Sequence, residues 1–294
     1  MRSTKIKFTP LDLVLLLSVA AAVLYFAYRF QSQLNYDWNW AVIPQYLVRH
    51  DRQTGTWVSN ILLQGLISTI RLSFWSTLLA AILGTLMGMF RISRSLFKRM
   101  VGRTYVEVVR NLPPLVLIFI FFYFVSDQLM PALGIDDYLR SCSPATQRTV
   151  AIFFTSSDQL SSFLSAIFTL ALYEGAYITE IVRAGIQSVE RGQWEASYAL
   201  GLSWWQQMRH VILPQAIQRI LPPLAGQFIS TIKDSAIVSV ISIQELTYQG
   251  MQLMAATYLT FEVWTTVALM YLVLNLICSL ASRRLETYLA RGIS

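Results

Sequence analysis

The stretch Glu190–Pro214, ERGQWEASYALGLSWWQQMRHVILP, is a polar island between two long apolar segments. Charged and amide side chains at this density do not sit in lipid, so the stretch reads as a loop with structure of its own. Gln193 to Leu200 is expected to form a short helix, with Glu195 in its first turn where a carboxylate suits the positive end of the helix dipole. Gly201 follows where a chain leaves a helix in the left-handed conformation, which glycine adopts without steric cost. Ser203 starts a second helix, and Gln206 three residues later completes a Ser-x-x-Gln capping box. Pro214 is expected to close the unit. The result is a bent knuckle displayed at one membrane surface.

The flanking segments set the class. The 294 residues are 55% hydrophobic and 13% charged, about half the charge of a soluble domain, so the chain is all-α and polytopic in a membrane. The net charge of +7 does not point to nucleic acid, because the bases lie at the ends of apolar runs, where they act as topology signals. Cys142 and Cys278 are far apart, His50 and His210 are isolated, and no disulfide framework or metal-ligand spacing is present.

In chain order, a short basic segment (Arg2, Lys5, Lys7) precedes the apolar run Leu11–Tyr28. A cleaved signal peptide competes with a retained anchor; a run of about 18 residues can span a bilayer, and the anchor is the preferred reading. Gln31–Ser59, with Trp38, Trp40 and Trp57, reads as an outer loop with an interfacial helix. Ile61–Phe90 is the second span, and Gly84-x-x-x-Gly88 within it allows close helix packing. A basic turn (Arg91 to Arg103) leads to a third span over Tyr105–Val125, interrupted near its start by Pro113-Pro114. Asp127–Leu160 reads as a polar outer loop and Phe163–Val182 as the fourth span. Ile217–Ile243 is a fifth span broken at Pro222-Pro223, a loop runs from Gln244, and Val263–Leu280 is the sixth span. Fifteen bases on the side of the termini and knuckle against five on the other place both termini and the knuckle in the cytoplasm.

Three stretches carry a resemblance. Glu195-Ala196-Ser197, three residues, Gly201, nine residues and Val211-Ile212-Leu213-Pro214 resemble the EAA loop of permease subunits of binding-protein-dependent ABC importers. Ser197 and Val211 depart from that pattern by small changes. Glu107, Arg110 and Pro113 resemble the opening of the equivalent helix in the polar amino-acid branch of these importers, and Lys233-Asp234-Ser235-Ala236 resembles its fifth span. The resemblance covers about residues 60 to 285. It implies an N-terminal helix and outer segment (1–59), a five-helix type I importer domain (60–285) with a coupling loop over 183–219, and a cytoplasmic tail (286–294). It also implies a substrate path for polar amino acids in a bacterial inner membrane, and a knuckle that docks on a cytosolic ABC ATPase. Glu195, Ala196, Ser197, Ala199, Gly201, Leu213 and Pro214 would make that docking unit. The implied partners are two ATPases, a periplasmic amino-acid-binding protein, membrane lipid and a second permease subunit, identical or sister.

No glycine precedes any of the four lysines, so no phosphate-cradling Walker A loop is present. The chain is therefore read as a transport subunit rather than an enzyme, binding no cofactor, with ATP and magnesium used by the partner ATPase. Charges inside spans are costly and face protein or water. Glu174, Lys233, Asp234, Glu107 and Arg110 are the candidates for the substrate path, with Glu174 placed to meet a substrate ammonium; structural pairing is the competing role for each. The rival reading is a transporter driven by an ion gradient, with Glu174 and Asp234 as coupling sites, which leaves the knuckle unexplained and lacks an inverted repeat. Trp194, Trp204 and Trp205 are expected to anchor the knuckle among the headgroups.

Overall fold

A computed structural model describes residues 10–33, 36–52 and 55–291. The chain divides into two units, residues 1–40 and 41–294. The first holds helix α1 (Pro10–Gln33), followed by Trp38 and Trp40 with their rings stacked at 5.9 Å. Residues 1–9, which carry the basic end of the signal-or-anchor reading, lie outside the described residues.

The second unit begins earlier than residue 60 because the segment after Ala41 packs onto it. Helix α2 (Ile43–Leu47) buries Ile43 with Leu62, Leu246 and Val263, and the Asn60 amide donates to the Gln45 carbonyl. A small antiparallel hairpin, β1 (Val48–His50) with β2 (Trp57–Ser59), follows, with Arg49 opposite Val58. The sequence reading has no strand here.

The remaining elements are helices: α3 (Ile61–Ile92), α4 (Leu96–Asn111), α5 (Pro114–Phe124), α6 (Met130–Leu133), α7 (Ile135–Ser141), α8 (Pro144–Phe153), α9 (Leu160–Gln187), α10 (Arg191–Ala199), α11 (Trp204–Gln207), α12 (Leu213–Asp234), α13 (Leu246–Thr257) and α14 (Thr260–Arg291). Among the described residues five helical stretches are long and apolar enough to cross a membrane: Ile61–Ile92, Pro114–Leu133, Ser157–Gln187, Trp204–Ile241 and Thr260–Arg284.

Four expectations are corrected. The third span does not run from Tyr105. Pro113 and Pro114 lack amide donors, so the chain breaks at Leu112–Pro113, and the basic stretch becomes a helix of its own, α4. Asp127–Leu160 is mostly helical: its first residues extend the third span to Leu133, and α7, α8 and a 3-10 turn over Ser157–Gln159 follow. The fifth span is not broken at Pro222-Pro223, which lie within continuous α12. It changes instead at Ser235 to a tighter 3-10 turn over Ser235–Ile241, where the Ser235 hydroxyl bonds back to the Ile232 carbonyl. The loop after Gln244 is helix α13, capped by Glu245.

The bundle is built around α9, the most deeply buried of the five. Its seam with α3 is tight because α3 offers glycine there. A Cβ at Gly84 would meet Ile178 Cγ2 at 2.6 Å and the Gly175 carbonyl at 2.9 Å. Gly84→Val is therefore expected to lower thermal stability by about 1–3 kcal/mol, the scale of overpacked cores. A melting curve of the purified variant checks this; an unchanged midpoint would mean that the two helices separate freely.

Candidate functional site

The knuckle helix starts two residues earlier than expected: α10 begins at Arg191, so Glu195 lies beyond its first turn and away from the positive end of the dipole. Helix α10 ends where the Leu200 and Gly201 amides donate to Ala196 and Tyr198, and Gly201 turns the chain with φ +73°. The Ser203 amide donates to Gln206 Oε1 at 2.8 Å, and the capping box is complete. The expected stop at Pro214 is not there. A π-turn over Met208–Ile212 feeds directly into α12, and Pro214 sits in the first turn of α12, where a missing amide donor costs little.

The knuckle is fastened to the membrane helices. Met208 and Ile212 are fully buried against Ile178, Val182 and Ile186 of α9. The Arg219 guanidinium donates to the Ser188 carbonyl, and Gln215 donates to Gln193 at 3.3 Å. Glu195, Ala196, Ala199 and Gly201 are exposed, beside Tyr198, Leu200 and Trp205, each more than two-thirds exposed. Ser197 is buried instead, its hydroxyl donating to the Trp194 carbonyl at 2.9 Å, so its small size serves packing within the chain. Leu213 is half-buried against the same core, with Trp194 and Trp204. Of the three tryptophans expected at the headgroups, Trp205 alone points outward.

Glu174 is fully buried on α9. Helix α12 faces it with Gln227, Thr231 and Asp234, residues at i, i+4 and i+7 and so on one side. The Gln227 amide donates to Glu174 Oε2 at 2.6 Å. Glu174 Oε1 has no hydrogen-bond partner among the described residues. The neighbouring Asp234 carboxylate is another acceptor unless one of the two carries a proton. Two acids thus meet across the α9–α12 seam, one of them held by the Gln227 amide.

The other candidates lie apart. Glu107 pairs with Arg103 at 2.7 Å on the exposed side of α4. Arg110 stands 5.2 Å over the Tyr177 ring, and the Tyr177 hydroxyl meets that of Tyr173 at 3.1 Å. Lys233 is exposed and forms no ion pair with Asp234, as the 100° between successive residues of a helix requires. Sequence reading missed Gln227, Thr231, Tyr173 and Tyr177; the spacing of the first two from Asp234 was the available signal.

Comparison with known proteins agrees with this architecture. A family profile described as a binding-protein-dependent transport system inner membrane component matches residues 80–291. The chain is 32% identical over 255 residues to the glutamine transport system permease protein GlnP of Escherichia coli, covering 86% of this chain and 97% of that protein. It is 33% identical over 227 residues to the probable glutamine ABC transporter permease protein GlnM of Bacillus subtilis, covering 74% and 92%. A solved amino acid ABC transporter chain superposes with a TM-score of 0.65 at 29% identity, covering 86% of this chain and all of that one. A helical bundle gathered on α9, with a capped knuckle locked to its end, is thus accounted for: the chain belongs to the family of binding-protein-dependent transport system inner membrane components.

Proposed function

We propose that the chain forms the translocation path of an ATP-driven importer for polar L-amino acids in a bacterial cytoplasmic membrane. The observation that carries this is the knuckle, a surface of exposed Tyr198, Leu200 and Trp205 beside Glu195 on a turn fixed to α9 and α12. ATP and magnesium belong to a separate ATPase, and this chain binds no cofactor. The termini and knuckle face the cytoplasm, a binding protein docks on the outer side, and a second permease subunit, identical or sister, completes the path.

The mechanism follows from the fastening. Closure of the ATPases draws the knuckles together. Because Met208 and Ile212 are embedded against α9, and α12 continues from the π-turn, both helices move with them. Glu174 and Gln227 lie on those two helices, about 21 Å along α9 from the knuckle at 1.5 Å per residue. Shifting one helix against the other opens the acid seam, where the free Glu174 oxygen receives the cargo ammonium. The names of the relatives, which refer to glutamine, support a polar amino acid as cargo.

The carboxylate pair would also serve a transporter driven by an ion gradient, and one experiment separates the two. Uptake is measured in vesicles holding the permease, its co-purified ATPase and the binding protein. Uptake that needs ATP and survives ionophores supports the importer; uptake that ionophores abolish, with ATP present, overturns it.

A further inference from the structure

A polar cavity lies at the far end of α9 from the knuckle, separated by roughly 39 Å of helix between Ser162 and Ser188. It measures about 380 Å³ and is lined by Gln64 and Arg71 of α3, by Thr155, Ser156 and Asp158, and by Gln244. On the proposed topology it opens on the outer side. Two opposite charges face it, Arg71 and Asp158. They form no ion pair among the described residues. The Arg71 guanidinium donates to the Phe154 carbonyl at 3.2 Å, which leaves most of its five donors for another group. One turn along α3, Trp75 Nε1 donates to the Phe153 carbonyl at 3.0 Å, and its ring stacks on Phe154 at 4.9 Å. The wall opposite α3 is therefore pinned. Ser242 on the rim has φ +63°, one of two non-glycine residues in the left-handed region among the described residues. Strained backbone of this kind concentrates at ligand sites.

We propose that this pocket is an outer receiving site for a free L-α-amino acid. Arg71 takes the α-carboxylate, Asp158 takes the α-ammonium, and the surrounding amides and hydroxyls hold a polar side chain. A fork of guanidinium donors suits a carboxylate, and a carboxylate lining the same cavity suits the other half of a zwitterion. The assignment rests on the importer reading, and it adds a stop for the cargo between the binding protein and the acid seam at Glu174.

The test uses the permease with its ATPase in nanodiscs, without the binding protein. A panel of proteinogenic L-amino acids at millimolar concentration is screened by thermal shift, and the strongest binder is titrated by calorimetry. Saturable binding is expected, together with its loss for the decarboxylated amine and the N-acetyl derivative of that amino acid. Arg71→Ala is expected to weaken Kd roughly ten- to hundredfold, the scale of a lost charged hydrogen bond, and Arg71→Lys less. Asp158→Asn, an exposed change that folding tolerates, tests the ammonium half and is also expected to weaken Kd. Binding that none of the panel shows, binding that appears only with the binding protein present, or a Kd unmoved by both Arg71→Ala and Asp158→Asn overturns the site. ATP-driven uptake is then assayed on the same wild-type preparation after the binding protein is added. Uptake with a silent pocket removes this site and leaves the importer standing, whereas no ATP-driven uptake of any amino acid removes the importer reading itself.

Discussion

Glu195→Lys is expected to abolish ATP-driven uptake while the protein remains folded and inserted. The Glu195 side chain is exposed and makes no hydrogen bond or ion pair among the described residues, and substitutions of that kind move stability by about 0.5 kcal/mol or less. A loss of uptake therefore reports a missing partner contact. Reversing a charge at an interface places like against like or leaves a partner charge unpaired, at a cost of several kcal/mol. That corresponds to ATPase affinity weaker by roughly a hundredfold or more. Gly201→Val reaches the same end by another route. Nothing lies within 4 Å of a Cβ built there, so its effect comes from the backbone: a β-branched residue resists φ +73° by about 1–2 kcal/mol. Relieving that strain re-aims Leu200, which is 79% exposed, away from its docking position. Vesicle uptake and co-purification of the ATPase read both variants. Unchanged ATP-driven transport in both would make the knuckle a structural turn and overturn the coupling mechanism.

The knuckle was legible because its signals are local. A left-handed glycine and a capping box are decided within a few residues by sterics and unpaired amides, and Gly201, Ser203 and Gln206 behave as those rules require. The existence of the five core spans was legible for a similar reason, since apolar length is a property of the segment itself. Errors arose where tertiary contacts override local rules. Pro222-Pro223 reads as a break, yet α12 continues through them, as membrane helices tolerate proline where the surrounding bundle holds the backbone. Helix α13 has no long apolar run to announce it; it is set by Glu245 capping its first amides. The acid seam was half visible. Glu174 and Asp234 stand out as charges in apolar surroundings, but the Gln227 amide that meets Glu174 lies 53 residues away and resembles any polar residue in a span. Ser197 shows the converse limit, since the same small residue suits a partner surface or a packed interior, and only the fold assigns it to the interior.

Glu245→Ala is expected to cause a large loss of stability. Glu245 is fully buried, and burial pushes its carboxyl above the ordinary carboxylate range while its donors pull the other way. Those donors are the Thr247 amide at 2.9 Å, the Tyr248 amide at 2.7 Å, the Tyr271 hydroxyl at 2.7 Å and the Thr69 hydroxyl at 3.4 Å. Thr69 in turn accepts from the Leu246 amide at 3.1 Å, and the Thr247 hydroxyl meets that of Tyr271 at 3.0 Å. One side chain thus ties α3, the start of α13 and α14 into a closed network. Removing it costs the helix cap, about 1 kcal/mol, and strands buried donors at about 1–3 kcal/mol each where water does not reach them. A total of roughly 3 kcal/mol or more is expected on that scale. Glu245→Gln keeps the shape but turns an amide NH2 toward groups that are themselves donors, so it should fall between wild type and alanine. Melting curves order the three proteins, and limited proteolysis places the opening between Ser242 and Leu259. Equal stability of Glu245→Ala and wild type would mean that water or lipid headgroups replace the carboxylate, and that α13 is held by its apolar contacts alone.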